Sequence, residues 1–302
     1  MTVRPPEPGE PRRRPSGPRD PGDAWVIADS GEKYWGRFGA AGLLAHDPGR
    51  GILLQHRVSW SHFGGTWGIP GGARHQGESA TDAAIRESQE EAGVPGDALR
   101  PLFTSVLDRE VWTYTTLVAT VTVPFEPVIA DPESYALEWV PLDEVDALPL
   151  HPGFAGSWPE LRSALTARAT VVVDAANVVG STPDGWWRDR SGAADRLLAR
   201  LKHLVLAGVT ADAFDLPGSR WFPRVIAVLE GAAREAADSS ANVDVVRAAA
   251  AGDDEIVAQA DAAVRHGERV VVVTSDRGLA DRIGGVGATV QPVSWLQALL
   301  PS

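Results

Sequence analysis

GARHQGESATDAAIRESQEEAGV, residues 72–94, decides how the rest of the chain is read. Ser79 stands where a helix cap belongs and Gly93 where a helix stops, so the spacing predicts a helix from Ser79 to Ala92. Along it Glu87, Glu90 and Glu91 fall at i, i+3 and i+4, and a rotation of about 100° per residue projects all of them from one stripe. Like charges at that spacing repel, so a cation is expected among them. A hard dication, Mg2+ or Mn2+, suits the site, because clustered carboxylates supply oxygen donors and leave positions for phosphate and water. The opposite face, Ala84, Ile85, Ser88 and Ala92, is small or apolar and is predicted to pack on a sheet. Arg86 lies beside the acids, placed to hold one of them by a bidentate hydrogen bond.

Gly72, Glu78, Arg86, Glu87, Glu90, Glu91, Gly93 and Val94 also fall at a known spacing. The order is Gly, five residues, Glu, seven residues, Arg-Glu, an apolar position, any residue, Glu-Glu, any residue, Gly and an apolar residue. The stretch resembles the Nudix box, and the likeness extends over about residues 25–160, including 66–72, the turn into the box, and 137–145, a closing strand and turn. It implies an α+β Nudix fold, a mixed sheet with the box helix embedded in it. It implies Glu90 and Glu91 as main metal ligands, with Glu87 and the Gly72 carbonyl completing the site and Glu78 and Gly93 supporting it. Catalysis would fall to Glu87, Glu91 and Arg86, the base staying open among Glu87, Glu91 and Glu133. The implied reaction is attack of water on phosphorus in a nucleoside-diphosphate-linked compound, with the dication and arginine neutralising charge on the leaving group. Ser88 departs from the pattern at a usually apolar position, which predicts a cost in stability rather than activity.

At 302 residues the chain has room for two domains with separate cores. It holds no cysteine, which excludes disulfides, thiolate metal sites and cysteine nucleophiles. No apolar run reaches the length of a membrane span, and the Arg-rich N-terminus lacks the apolar core of a signal peptide, so a cytoplasmic location without a membrane partner is expected. With 28 basic against 40 acidic residues, long-range attraction to nucleic acid is not expected, although a local basic patch stays open. Residues 1–22, rich in Pro and Arg, are read as a disordered tail. Its Arg12, Arg13 and Arg14 are either solvated or meet an acidic partner. Residues 23–165 form the Nudix-like domain, with strands expected at 38–44, 51–55, 102–107, 112–123 and 137–140. A Pro, Gly and Trp stretch at 151–159 then precedes a short helical run to 168. Trp60, His62, Phe63, Trp112 and Tyr114 either stack a substrate or pack a core, whereas His46, His56 and His75 lack metal-like spacing.

Residues 168–302 alternate strands at 170–173, 224–229, 243–246 and 269–274 with helices at 192–206 and 253–266, and close with a strand and helix within 288–300. Buried Val-rich runs between helices predict an α/β domain with a mainly parallel sheet. Asp174 and Asn177 lie just past the carboxyl end of a strand, Asp276 occupies the same kind of position, and Asp253 and Asp254 begin a helix. Either these residues end strands and cap helices, or they converge on a Mg2+ or Mn2+ site where parallel sheets place their ligands. The Asp-x-x-Asn opening and the Thr274-Ser275-Asp276 ending resemble the NYN branch of the PIN-like ribonuclease fold, which implies a domain that binds or cuts RNA. Arg188, Arg190, Arg196 and Arg200, beside Trp186 and Trp187, form a phosphate and stacking surface or plug a core. The chain as a whole is read as a metal-dependent nucleotide hydrolase with an appended RNA-directed domain. The alternative is a nucleotide sensor or RNA-binding protein whose PIN-like ribonuclease is the main activity.

Overall fold

The computed structural model describes residues 1–5, 20–61, 63–130, 132–183, 185–237 and 242–301. The run Arg12 to Arg14 and His62 lie outside them. The chain divides into two compact units, Met1–Leu165 and Thr166–Ser302. Among the described residues no helix is long and apolar enough to cross a membrane.

The main elements of the first unit are β1 (Ala40–Asp47), β2 (Gly51–Arg57), β3 (Gly71–Ala73), α1 (Ala80–Ala92), β4 (Leu99–Asp108), β5 (Thr113–Val121), β6 (Ser134–Val140) and α2 (Pro152–Ala164). Its sheet runs in the order β6-β2-β1-β5-β4. β1 pairs with β5 in parallel, while the β1–β2, β2–β6 and β4–β5 pairs are antiparallel, so the sheet is mixed. β1 is buried on both faces, which is why it reads as a continuous apolar run rather than an alternation. The segment entering the box, expected as a turn, closes as strand β3, whose Gly71 and Gly72 sit opposite Gly42 and Ala41. α1 packs over β1, β3 and β5.

Two expectations are corrected in this unit. Thr2–Arg4 does not belong to a solvated tail, because it pairs antiparallel with Trp25–Ile27, whose other edge carries Lys33–Trp35. The Pro, Gly and Trp stretch at 151–159 does not precede the helix but forms most of it: α2 already begins at Pro152, capped by His151, whose Nδ1 accepts from the Gly153 N–H at 3.1 Å. Proline suits a first helical position, since the N–H it lacks would have no helical partner there.

The second unit contains β7 (Ala169–Asp174), α3 (Ala175–Gly180), α4 (Arg190–Ala207), β8 (Arg224–Leu229), β9 (Asp244–Arg247), α5 (Gly252–Arg265), β10 (Arg269–Val273), α6 (Arg277–Gly285), β11 (Thr289–Gln291) and α7 (Val293–Leu299). Its strands run β9-β8-β7-β10-β11, and every pair is parallel. Val172, Ile226, Val228 and Val272 form one core with Ile256 and Ala260 of α5. From β7 the chain moves outward to β8 and β9, then crosses to β10 and β11 on the other side. The crevice between the carboxyl ends of β7 and β10 is therefore the switch point where such sheets place ligands.

Candidate functional site

The ends of α1 are set locally. Ser79 Oγ accepts from the Asp82 N–H at 3.1 Å, and Gly93 closes the helix at φ 63°, a left-handed conformation that favours glycine. The inward face carries Ala83, Ala84, Ser88 and Ala92, together with Glu87 and Glu91. Ala83 thus takes the packing place expected for Ile85, which is only partly buried. The expected cost of Ser88 is reduced, because its buried hydroxyl donates to the Ile85 carbonyl at 2.8 Å. The acids are not equivalent along their stripe. Glu87 and Glu91 are 7% and 9% exposed, whereas the Glu90 side chain is 43% exposed at the rim.

Arg86 organises these groups. Its Nε and Nη2 grip both oxygens of Glu78 at 2.7 and 2.8 Å, and Nη2 also donates to the Ala73 carbonyl at 3.0 Å. Its Nη1 reaches Glu87 at 2.5 Å and Glu90 at 3.5 Å. Burial alone would push the Glu78 carboxyl up, but Arg86 and the His75 N–H at 2.9 Å outweigh it and hold the group below the usual carboxylate range. Opposite, the Glu91 Oε2 accepts from the Gly71 N–H at 3.0 Å. A Cβ on Gly72 would lie 2.7 Å from the Glu87 carboxylate, so glycine is required there for close approach. Burial pushes the Tyr114 hydroxyl up, as do the charges of Glu91 and Glu87, against the pull of Arg57.

As they stand, no group of three or more His, Asp or Glu side chains among the described residues is gathered closely enough to hold a metal ion. Arg86 bridges Glu87 and Glu90 instead. The donor chemistry nonetheless fits a hard dication. The side-chain oxygens nearest the Gly72 cradle are those of the Glu87 carboxylate, and Arg86 offsets one negative charge among Glu78, Glu87, Glu90 and Glu91.

A cleft of about 520 Å3 opens beside β3, with Gly71, Gly72 and Tyr114 among its lining residues. Of the aromatics singled out from sequence, Phe63, Trp112 and Tyr114 line it. Trp60 is exposed and is not among the lining residues. His56 stacks on Trp67 at 4.7 Å, His46 is buried, and Glu133 lies buried ahead of β6, away from the cleft lining. Sequence reasoning missed Tyr34, Trp35, Arg57, Arg109 and His151, all of which line the cleft. The three residues Lys33, Tyr34 and Trp35 are too few to announce a strand.

In the second unit the switch point brings Asp174 and Thr274 together. Asp174, 7% exposed, accepts from the Asn177 N–H at 2.9 Å and from the Thr274 hydroxyl at 2.9 Å. Burial pushes its carboxyl up; Asn177 and Thr274 counteract this, and the nearby charges of Asp253 and Glu230 add to it. Asn177 Oδ1 in turn accepts from the Ser275 N–H at 2.9 Å. Glu230, which follows β8 and was missed in the sequence, accepts from the Gly252 N–H at 2.8 Å. Asp254 does not join them, because it pairs with Arg282 at 2.6 Å. Asp276 caps α6 through the Leu279 N–H at 2.8 Å. Asp253 is no cap: the residue at that position of α5 is Ala251. Trp187 is 55% exposed, and Arg190 stands 5.5 Å from the Trp186 ring, so these tryptophans do not plug a core. Arg196 approaches Asp189 at 4.0 Å, and Arg200 donates to the Pro301 carbonyl at 3.1 Å.

Residues 36–161 match the family described as NUDIX domain. A Mycobacterium tuberculosis protein named "Putative 8-oxo-dGTP diphosphatase 3" is 50% identical over 163 residues, covering 51% of this chain and 73% of that protein. A Bifidobacterium longum protein named as a nucleoside triphosphate pyrophosphatase/Nudix hydrolase fusion is 40% identical over 162 residues, covering 50% of this chain and 33% of that one. Among solved structures, the Nudix hydrolase RenU from M. smegmatis is 47% identical, with a TM-score of 0.44, over 47% of this chain and 94% of that one.

Proposed function

We propose, from the premise that this chain belongs to the Nudix family, that its first unit hydrolyses a phosphoanhydride bond in a nucleoside-diphosphate-linked compound. The observation that carries this reading is the pair of buried carboxylates, Glu87 and Glu91, set against Gly71 and Gly72 at the edge of an aromatic-walled cleft. Glu87, Glu90, Glu91 and the Gly72 carbonyl would hold Mg2+ or Mn2+, which supplies charge neutralisation for phosphate and acidifies a bound water. Arg86 fixes Glu87 and the Gly71 N–H fixes Glu91, and one of these carboxylates would take the proton of the attacking water. Arg57 lines the same cleft with a buried Nε that has no hydrogen-bond partner among the described residues, a donor suited to a phosphate oxygen.

Water adding to one phosphorus releases a nucleoside monophosphate, the second phosphorylated product and a proton. The test uses the full chain with millimolar Mg2+ or Mn2+ and a panel of 8-oxo-dGTP, dGTP, ADP-ribose, dinucleoside polyphosphates and RNA. Monophosphate release from at least one nucleotide is expected. No release above the uncatalysed rate from any of them would sink the proposal. Gly72→Ala is expected to slow that reaction about tenfold to a hundredfold, because displaced catalytic groups cost rate steeply. The added methyl meets the Glu87 carboxylate rather than backbone, so the displacement falls on that side chain and its Arg86 partner.

For the second unit, the meeting of Asp174, Asn177 and Thr274 at the switch point, with Glu230 and Asp253 nearby, supports an NYN/PIN-like domain that cuts RNA with a dication. Asp174→Asn is expected to abolish RNA cleavage while leaving nucleotide hydrolysis intact. Unchanged RNA cleavage by that variant would remove the nuclease reading and leave the first activity standing.

A further inference from the structure

We infer that the strand Lys33–Trp35, through the Tyr34–Trp112 pair, is the wall on which the base of the nucleotide stacks; this rests on the nucleotide reading of the cleft. The strand lies just ahead of residues 36–161, which carry the family match, yet its side chains line the same cleft as Gly71 and Gly72. The wall is therefore built from the N-terminal sheet as well as from the strands that follow it.

Its parts are fixed before any ligand arrives. Tyr34 and Trp112 stack at 4.9 Å with 13° between their planes. The Trp112 indole N–H donates to the Trp35 carbonyl at 3.1 Å, and Trp35 rests edge-on against Trp25 at 5.1 Å. Both rings of the pair are only partly buried, and both line the cleft. A rigid aromatic pair of this kind offers stacking area at little cost in ordering. The cleft, about 520 Å3, falls in the range of small-molecule sites rather than of a phosphate notch. At the edge of the wall stand an acceptor and a donor, Glu32 and Arg109, which also line the cleft. Their closeness to Tyr34 shows in its hydroxyl: lost hydration, the Glu32 charge and a hydrogen bond with Glu32 push it up, and the Arg109 charge pulls it back. A ring stacked there meets a carboxylate and a guanidinium at its rim, the complement of a heterocycle with donors and acceptors on its edge.

The test compares wild type, Tyr34→Ala and Tyr34→Phe in the full chain. With Mg2+, KM and kcat are measured for a purine and a pyrimidine nucleoside triphosphate and for deoxyribose 5-triphosphate, which has no base. Without metal, binding of the purine monophosphate is followed by tryptophan fluorescence. Removing a stacking ring is expected to weaken purine binding about tenfold in both assays. The loss should fall on KM rather than kcat and be restored by phenylalanine. Equal losses on the base-free compound would show a loosened fold and overturn the inference, as would an unchanged purine KM. A wild type that binds purine monophosphate through Tyr34 but hydrolyses nothing would sink the hydrolase reading and keep the wall.

Discussion

Glu91→Gln is expected to lower nucleotide turnover by more than about a hundredfold with the fold intact, the scale at which removal of one electrostatic stabiliser is felt in an enclosed site. The substitution is nearly isosteric, and its side-chain oxygen still accepts from the Gly71 N–H that Glu91 now engages at 3.0 Å. What disappears is the charge. At 9% exposure that charge is poorly screened by solvent, so it acts strongly on a bound cation and on a proton leaving water. The measurement is turnover of the best nucleotide of the panel at saturating Mg2+, beside a thermal melt of the same preparation. A melt shifted by less than about 3 °C, little more than 1 kcal/mol, would show that the lost rate is chemical rather than structural. Turnover within threefold of wild type would mean that this carboxylate lies outside the chemistry.

Much of this geometry follows from features that sequence spacing can carry. The box helix, its Ser79 cap and its Gly93 stop are local, and the structure keeps them within a residue. The alternation of Val-rich runs and helices likewise yields a parallel sheet, because burial on both faces leaves the same mark on every strand. What the spacing does not contain is the surroundings of each face. Three acids on one stripe look equivalent until β3 folds beneath α1 and buries Glu87 and Glu91 but not Glu90. The need for glycine at residue 72 arises from the distance to Glu87, and no local rule encodes it. Strands of three residues, such as Thr2–Arg4 and Lys33–Trp35, are too short to show a period, so their pairing is decided by tertiary contact. Glu230 and Asp254 trade importance for the same reason. One stands beside Asp174 because of strand order, and the other turns away to Arg282.

Arg86→Ala is expected to produce the largest loss of stability of any single change near the box, about 3 kcal/mol, or a fall of about 6–12 °C in melting temperature. The Arg86, Glu78 and Glu87 side chains are only 19%, 14% and 9% exposed, so their contacts escape the screening that makes surface pairs weak. Alanine would leave Glu78 and Glu87 charged and largely buried without their guanidinium, and the Ala73 carbonyl would lose its donor as well. The dependence on pH carries a definite sign. Because the folded-state carboxyl of Glu78 is held below its ordinary value, the stability it contributes is fully present above the unfolded value of about 4.3 and is lost as pH falls through the lower folded value. In the variant, burial without Arg86 favours the protonated acid, so acid relieves the variant while it weakens wild type. Urea unfolding of both proteins should therefore give a gap that is widest at neutral pH, begins to narrow above the ordinary carboxyl value of about 4.3 and narrows further below it. A gap that stays constant down to pH 3 would show that packing, not the carboxylate pair, holds Arg86 in place. Arg86→Lys should fall between the two proteins, since an ammonium keeps the charge but cannot span both Glu78 oxygens in the way the planar fork does.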